Sequence, residues 1–178
     1  MLRPETVIVF HDGFRLLRWG GWFRRAGMRN VMLDTHQYLI AMEDPLFSGP
    51  ARRLYLRSRR LPWLYRMLVG ASGIAIRSAA RRIPVLVGEW CVENQWALHS
   101  QNRSAAYRQV SRLQRAAWDV SAGQIYWSYQ LARSAKPGSG EGKPPRDPRN
   151  GGNLEAWDLT RVWRHGWIRA DTSHDDMP

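Results

Sequence analysis

The chain has one cysteine, Cys91, and only two lysines, Lys136 and Lys143, among its 27 Lys and Arg residues. A single thiol excludes an internal disulfide and a cysteine-built structural zinc cage, and it leaves the redox compartment open. Long apolar runs are also missing. No stretch approaches the roughly 20 consecutive apolar residues that cross a bilayer as a helix, so the chain reads as having no membrane span. Acidic residues are scarce: 15 Asp and Glu leave a formal charge of +12 and a sequence pI near 11.1. A charge of this size raises a nucleic-acid or anionic-surface hypothesis. The arginines, however, are scattered through nearly every segment as well as in Arg52-Arg53 and between Arg57 and Arg60. That distribution reads as solvated helix faces rather than a dedicated polyanion site.

With 178 residues, 44% of them hydrophobic, the chain can bury one substantial core. It falls short of the roughly 250 residues usual for a complete eight-stranded α/β barrel. Met1-Leu2-Arg3-Pro4-Glu5 leads straight into Val7-Ile8-Val9-Phe10. There is no charged leader, long apolar segment or small-residue cleavage site, so no secretion signal is expected. Localisation stays open, cytoplasmic as written and extracellular for a longer form.

Apolar runs and turn residues predict four strands separated by helices. Val7 to Phe10 is a strand with the polar exit His11-Asp12-Gly13, followed by a helix from about Phe14 to Ala26. Gly27 breaks that helix, and Val31-Met32-Leu33 is the second strand, ending in Asp34-Thr35-His36-Gln37-Tyr38. Residues 43 to 66, rich in Pro and Arg, read as a long excursion, and a helix is expected over Ile74 to Arg82. Pro84 stops it and opens the third strand, Val85-Leu86-Val87-Gly88-Glu89-Trp90. Val110, Leu113, Ala117 and Val120 recur at helical spacing within Arg103 to Ser121, with Arg and Gln assigned to the outer faces. The aromatic run Gln124 to Tyr129 is the fourth strand, 134 to 153 a Pro- and Gly-rich loop, and Ala156 to Ile168 a last helix. Residues 1–169 then form one domain, with a polar tail over 170–178. Strands alternating with helices imply a parallel sheet.

The most informative group is Glu89, a carboxylate closing a buried-type strand with an indole beside it. In α/β barrels the reacting residues sit at the carboxyl ends of strands. Taken alone, Glu89 fits either a reacting carboxylate or one held by a helix N-terminus. His99, His165 and His174 have no ligand-like spacing, so neither a metal nor another cofactor is expected. Gly138 to Lys143 superficially resembles a phosphate loop, but Pro137 stands at the required first Gly and Pro144 at the Ser or Thr. Cys91 reads as a small packed residue rather than a nucleophile.

Five motifs in order, Val9-Phe10-His11-Asp12-Gly13-Phe14, Asp34-Thr35-His36-Gln37-Tyr38, Val87-Gly88-Glu89-Trp90, Ile125-Tyr126-Trp127-Ser128-Tyr129 and Glu155-Ala156-Trp157, resemble glycoside hydrolase family 5. Within it the likeness is to the exo-β-1,3-glucanase and β-glucosidase branch. It covers residues 5 to 168 and implies the C-terminal half, strands five to eight, of a TIM (β/α)8 barrel. The resemblance implies a retaining glycosidase acting on a β-glucan or β-glucoside, with Glu89 as nucleophile and His36 and Tyr38 orienting it. By the same resemblance Trp127 is the floor under the sugar, and His11 and Asp12 lie on the leaving-group side. Trp90, Glu93 and Trp157 fit either the rim of the cleft or simple packing.

The family's acid/base lies in Asn-Glu-Pro, and this chain contains no Asn-Glu pair. The partner expected to supply it is a missing N-terminal half, and the unpaired strand edges of a half-barrel also point to pairing with a second copy of the chain. Two alternatives stand beside this reading: a non-catalytic carbohydrate-binding remnant, and an arginine-rich nucleic-acid binder.

Overall fold

The computed structural model describes residue 3 and residues 5–47, 61–131 and 153–169. In chain order its elements are β1 (Ile8–His11), α1 (Leu16–Arg25), β2 (Val31–Gln37), α2 (Leu39–Phe47), α3 (Leu61–Ala80) and β3 (Val85–Trp90). They continue as α4 (Gln95–His99), α5 (Arg103–Trp118), β4 (Gly123–Tyr126), a 3-10 turn (Leu154–Trp157) and α6 (Leu159–Arg164). The chain divides into two compact units. The first comprises residues up to Tyr38, Pro62–Trp90 and Leu113–Tyr126; the second comprises Leu39–Leu61, Cys91–Arg112 and residues from Trp127 onward.

The first unit carries a four-stranded sheet in the order β1-β2-β3-β4, every neighbouring pair parallel. The fold is α/β, as the alternation of strands and helices requires. On β2 the side chains alternate strictly: Leu33, Thr35 and Gln37 are buried, whereas Met32, Asp34 and His36 lie on a half-exposed face. Two polar residues on the buried side need partners, because an unsatisfied buried polar group costs roughly 1–3 kcal/mol. They have them in one continuous chain of bonds. Thr35 Oγ1 donates to Asp12 Oδ2 at 2.8 Å, and Gln37 Nε2 donates to Thr35 Oγ1 at 2.9 Å. Ser72 Oγ donates to Gln37 Oε1 at 2.5 Å, and the buried indole of Trp118 donates to Ser72 Oγ at 3.1 Å. This network ties the carboxyl ends of β1 and β2 to α3 and α5.

Helix α3 is much longer than the expected Ile74 to Arg82. Its buried positions Tyr65, Val69, Gly73, Ile76 and Ala79 fall at helical spacing, and the stripe starts inside the Arg- and Pro-rich stretch. Pro62 falls in the first turn, where a missing N–H costs nothing. Gly73 is a close-approach glycine, since a Cβ there would lie 2.8 Å from the Ala117 carbonyl oxygen of α5. The expected excursion over 43 to 66 is therefore helical at both ends, and residues 48–60 lie outside the described ones. In α5 the buried stripe includes Gln114, which corrects its assignment to an outer face.

In the second unit, the aromatic run after β4 leaves the ladder at Tyr126. The Trp127–Ser128 peptide bond is cis. Ser128 N–H donates to Trp157 O at 2.7 Å, and Leu159 N–H donates to Ser128 O at 2.9 Å. The expected single helix over Ala156 to Ile168 is two pieces divided at Asp158, whose Oδ1 accepts from Arg161 N–H at 3.1 Å and caps α6. Burial acts to raise the Asp158 carboxyl. Hydrogen bonds from Thr160, Leu131 N–H and Arg161 N–H, with the Arg161 charge, outweigh it and hold the group below its ordinary value. The expected polar tail over 170–178 and most of the loop over 134–153 lie outside the described residues.

Among the described residues β1 pairs only with β2 and β4 only with β3. Val7, Ile8 and Val9 at one edge are 50%, 40% and 49% exposed, and Ile125 at the other is 50% exposed. Unpaired edges flanked by apolar side chains template pairing with another chain. The purified protein is expected to self-associate, giving a light-scattering mass well above the monomer's 20.7 kDa. A monodisperse monomer would contradict this.

Candidate functional site

The site in the first unit is built by an irregularity in the sheet. Thr35 of β2 pairs with Val87 of β3, but the next pair is His36 with Glu89, so the register skips Gly88. A second skip on the β4 side falls between Val87 and Trp90. Strict alternation would send Glu89 to the buried side with Val85 and Val87. The extra residue turns it instead onto the half-exposed side, in line with the way bulges re-aim side chains near functional sites.

Glu89 there meets two groups from β2 and its exit. Tyr38 Oη donates to Glu89 Oε2 at 2.8 Å, and His36 Nδ1 lies 3.1 Å from the same oxygen. The other imidazole nitrogen, Nε2, lies 3.1 Å from Asp34 Oδ2. Asp34, His36 and Glu89 are each about one-fifth to one-quarter exposed at the side chain, partly screened from water yet reachable. The Tyr38 bond and the His36 contact on Oε2 fix the carboxylate's orientation. The His11 ring packs edge-on to the His36 ring with centroids 4.4 Å apart, and Gly13 N–H donates to His11 Nδ1 at 3.1 Å.

Glu89, Tyr38, His36 and His11 are thus brought together. Asp12 has a different part. It is buried, its Oδ1 accepts from Phe14 N–H in the β1 exit turn at 2.8 Å and its Oδ2 from Thr35 of β2, so both oxygens hold the sheet end together. Trp90 is also removed from any rim. It is 4% exposed and packs edge-on to Trp118 and Tyr126 at 5.4 and 4.9 Å. Strand alternation puts it on the buried face once the bulge has passed.

Trp127, Trp157 and Glu93 belong to the second unit. Trp127 is half-exposed at 50%, and Trp157 is partly buried in the 3-10 turn. Glu93 is buried at 1% exposure, so it lines no rim. It accepts from Asn153 N–H at 3.3 Å. Burial pushes its carboxyl from 4.5 up to about 8, with the nearby Glu43 charge adding to the effect against hydrogen bonds from Asn153 and Tyr107. Cys91 is buried and packed, as expected, and burial pushes its thiol well up.

Asp34 escaped the sequence reading as a site residue, although the signal was present. Asp34, His36 and Tyr38 stand two apart, which on a strand means one face. Gly88 also carries part of the site, because it is the residue the bulge sets aside.

No protein-family model matches the chain, and the search of curated proteins returns no match. Among the described residues no group of three or more His, Cys, Asp or Glu side chains could hold a metal ion, and no helix is long and apolar enough to cross a membrane.

Proposed function

We propose that the chain supplies the nucleophile half of a retaining glycoside hydrolase acting on a β-glucan or β-glucoside. The observation that carries this reading is the double restraint on Glu89. One of its oxygens receives Tyr38 Oη at 2.8 Å and faces His36 Nδ1 at 3.1 Å, at the carboxyl end of a parallel strand. A carboxylate held at one oxygen in this way has a fixed orientation, as nucleophilic attack on an anomeric carbon demands. The sequential all-parallel sheet is compatible with strands five to eight of a (β/α)8 barrel, whose reacting groups lie at strand carboxyl ends.

In the proposed reaction a Glu89 oxygen bonds to the anomeric carbon as the glycosidic C–O bond breaks. Water then hydrolyses the glycosyl ester with net retention. A natural leaving group must be protonated by a second carboxyl about 5–5.5 Å from the nucleophile. The family's Asn-Glu-Pro acid is not in this sequence, so a complementary half-barrel supplies it in the proposed enzyme. Half-exposed Trp127 is the proposed sugar platform, since a flat indole covers the apolar face of a pyranose.

The test uses a reagent that needs no acid. Dinitrophenolate departs unprotonated, so 2,4-dinitrophenyl 2-deoxy-2-fluoro-β-glucoside asks only for a nucleophile. The chain is expected to gain one fluoroglucosyl group by intact mass, mapping to Glu89 and absent from Glu89→Gln. Labelling elsewhere, or none, would overturn the reading. If the label is absent but laminari-oligosaccharides still shift the tryptophan fluorescence, a non-catalytic carbohydrate-binding protein replaces it.

A further inference from the structure

We infer that Asp34 is a positioning residue for Glu89, acting through His36. The inference rests on the glycosidase reading for its purpose, but its geometry is independent of it. His36 lies between two carboxylates, with Nε2 3.1 Å from Asp34 Oδ2 and Nδ1 3.1 Å from Glu89 Oε2. A neutral imidazole has one N–H and can donate to only one of them. His36 can donate to both carboxylates only as the imidazolium, which has an N–H on each nitrogen. Asp34 therefore holds the second proton on His36, and the cation so formed makes a charge-assisted bond to Glu89, roughly twice as strong as a neutral one.

The surroundings agree. The groups facing His36 are Asp34 from its own strand, Tyr38 just beyond it, Glu89 from β3 and the His11 ring from β1. The Gly13 N–H donates to His11 Nδ1 at 3.1 Å. Among the described residues Asp34 Oδ1 is buried without a hydrogen-bond partner, and the carboxylate meets His36 through Oδ2.

Gly88 makes the arrangement possible. A Cβ at Gly88 would overlap Asp34 Oδ1 and lie 2.7 Å from its Cγ. The bulge glycine beside the nucleophile is thus the space into which the Asp34 carboxylate fits. Any side chain there would displace it from His36.

The experiment is 15N NMR of the ring nitrogens of His36 in the full chain at neutral pH, assigned with a His36→Gln control. The wild type is expected to show both His36 nitrogens protonated. Asp34→Asn is expected to lose one N–H, so that one nitrogen moves to the lone-pair position. Gly88→Ala, which keeps every ionisable group, is expected to do the same. Glu89→Gln keeps the Asp34 bond and should retain the Nε2 proton.

A wild-type spectrum with only one protonated nitrogen overturns the inference without reference to any variant, so a variant that fails to fold does not shield it. Two protons on His36 that survive in both Asp34→Asn and Gly88→Ala also overturn it. The fluoroglucoside result separates the two proposals. A doubly protonated His36 that depends on Asp34 in an unlabelled chain sinks the glycosidase reading and leaves the Asp34 role. Labelled Glu89 beside a neutral His36 does the reverse.

Discussion

Glu89→Gln is expected to lower turnover of an activated aryl β-glucoside by at least about 10⁴-fold, the scale seen when a covalent nucleophile is removed. The assay is initial rate with the chain joined to a complementary half-barrel that carries an acid/base. An amide oxygen cannot form the glycosyl ester, so both steps of the double displacement disappear. Tyr38→Phe is expected to be milder. It removes one hydrogen bond to a charged group, about 1.5–3 kcal/mol, which reads as a rate about ten to a hundred times lower. The phenyl ring keeps the packing, so circular dichroism should be unchanged in both variants. A Glu89→Gln protein within tenfold of wild type would remove Glu89 from the chemistry.

The second large effect concerns stability in the second unit and does not depend on any catalytic reading. Glu93 is buried, and its carboxyl sits at about 8 against an ordinary 4.5. The folded protein keeps that proton up to about pH 8, whereas the unfolded chain releases it near 4.5. Between these values the folded state binds more protons, so stability falls as pH rises. Above about 8 both states are ionised and the slope ends. The loss across this window is on the order of 3–5 kcal/mol.

Glu93→Gln is expected to flatten the dependence. At acid pH it should be somewhat less stable, because the amide NH₂ takes a buried position where, among the described residues, Glu93 Oε1 has no partner. At pH 8 it should be the more stable protein. Urea midpoints from pH 5 to 9 measure this, and a variant with the wild-type slope would show that Glu93 does not carry it.

Much of the fold was legible because its signals are local. Apolar runs broken by Gly27 and Pro84 mark strands and the helix between them, and alternation of the two element types forces a parallel sheet. The errors have physical causes. Helix α3 was shortened because arginines and Pro62 obscured a buried stripe whose period is plain once Tyr65, Val69 and Ile76 are placed on one side. Gln114 was assigned outward because Gln is polar, but burial is set by what packs over a residue, and Gln114 lies on the buried side of α5. Ala156 to Ile168 was read as one helix although Asp158-Leu-Thr-Arg is itself a capping pattern.

The candidate site divides in the same way. The strand pattern selected Glu89 at a strand mouth, and the family resemblance added His36 and Tyr38 as the groups that orient it. Whether Glu89 faces those side chains depends on a one-residue slip between β2 and β3, and nothing local announces it. The slip makes Gly88 the spare residue, turns Glu89 across from His36 and opens the space that Asp34 fills. Burial likewise withdrew Asp12, Trp90 and Glu93 from ligand roles, because exposure is set by what packs over a residue. The sequence by itself determined which groups are present and on which strands; strand register and burial, which arise only when distant segments meet, decided which of them can act together.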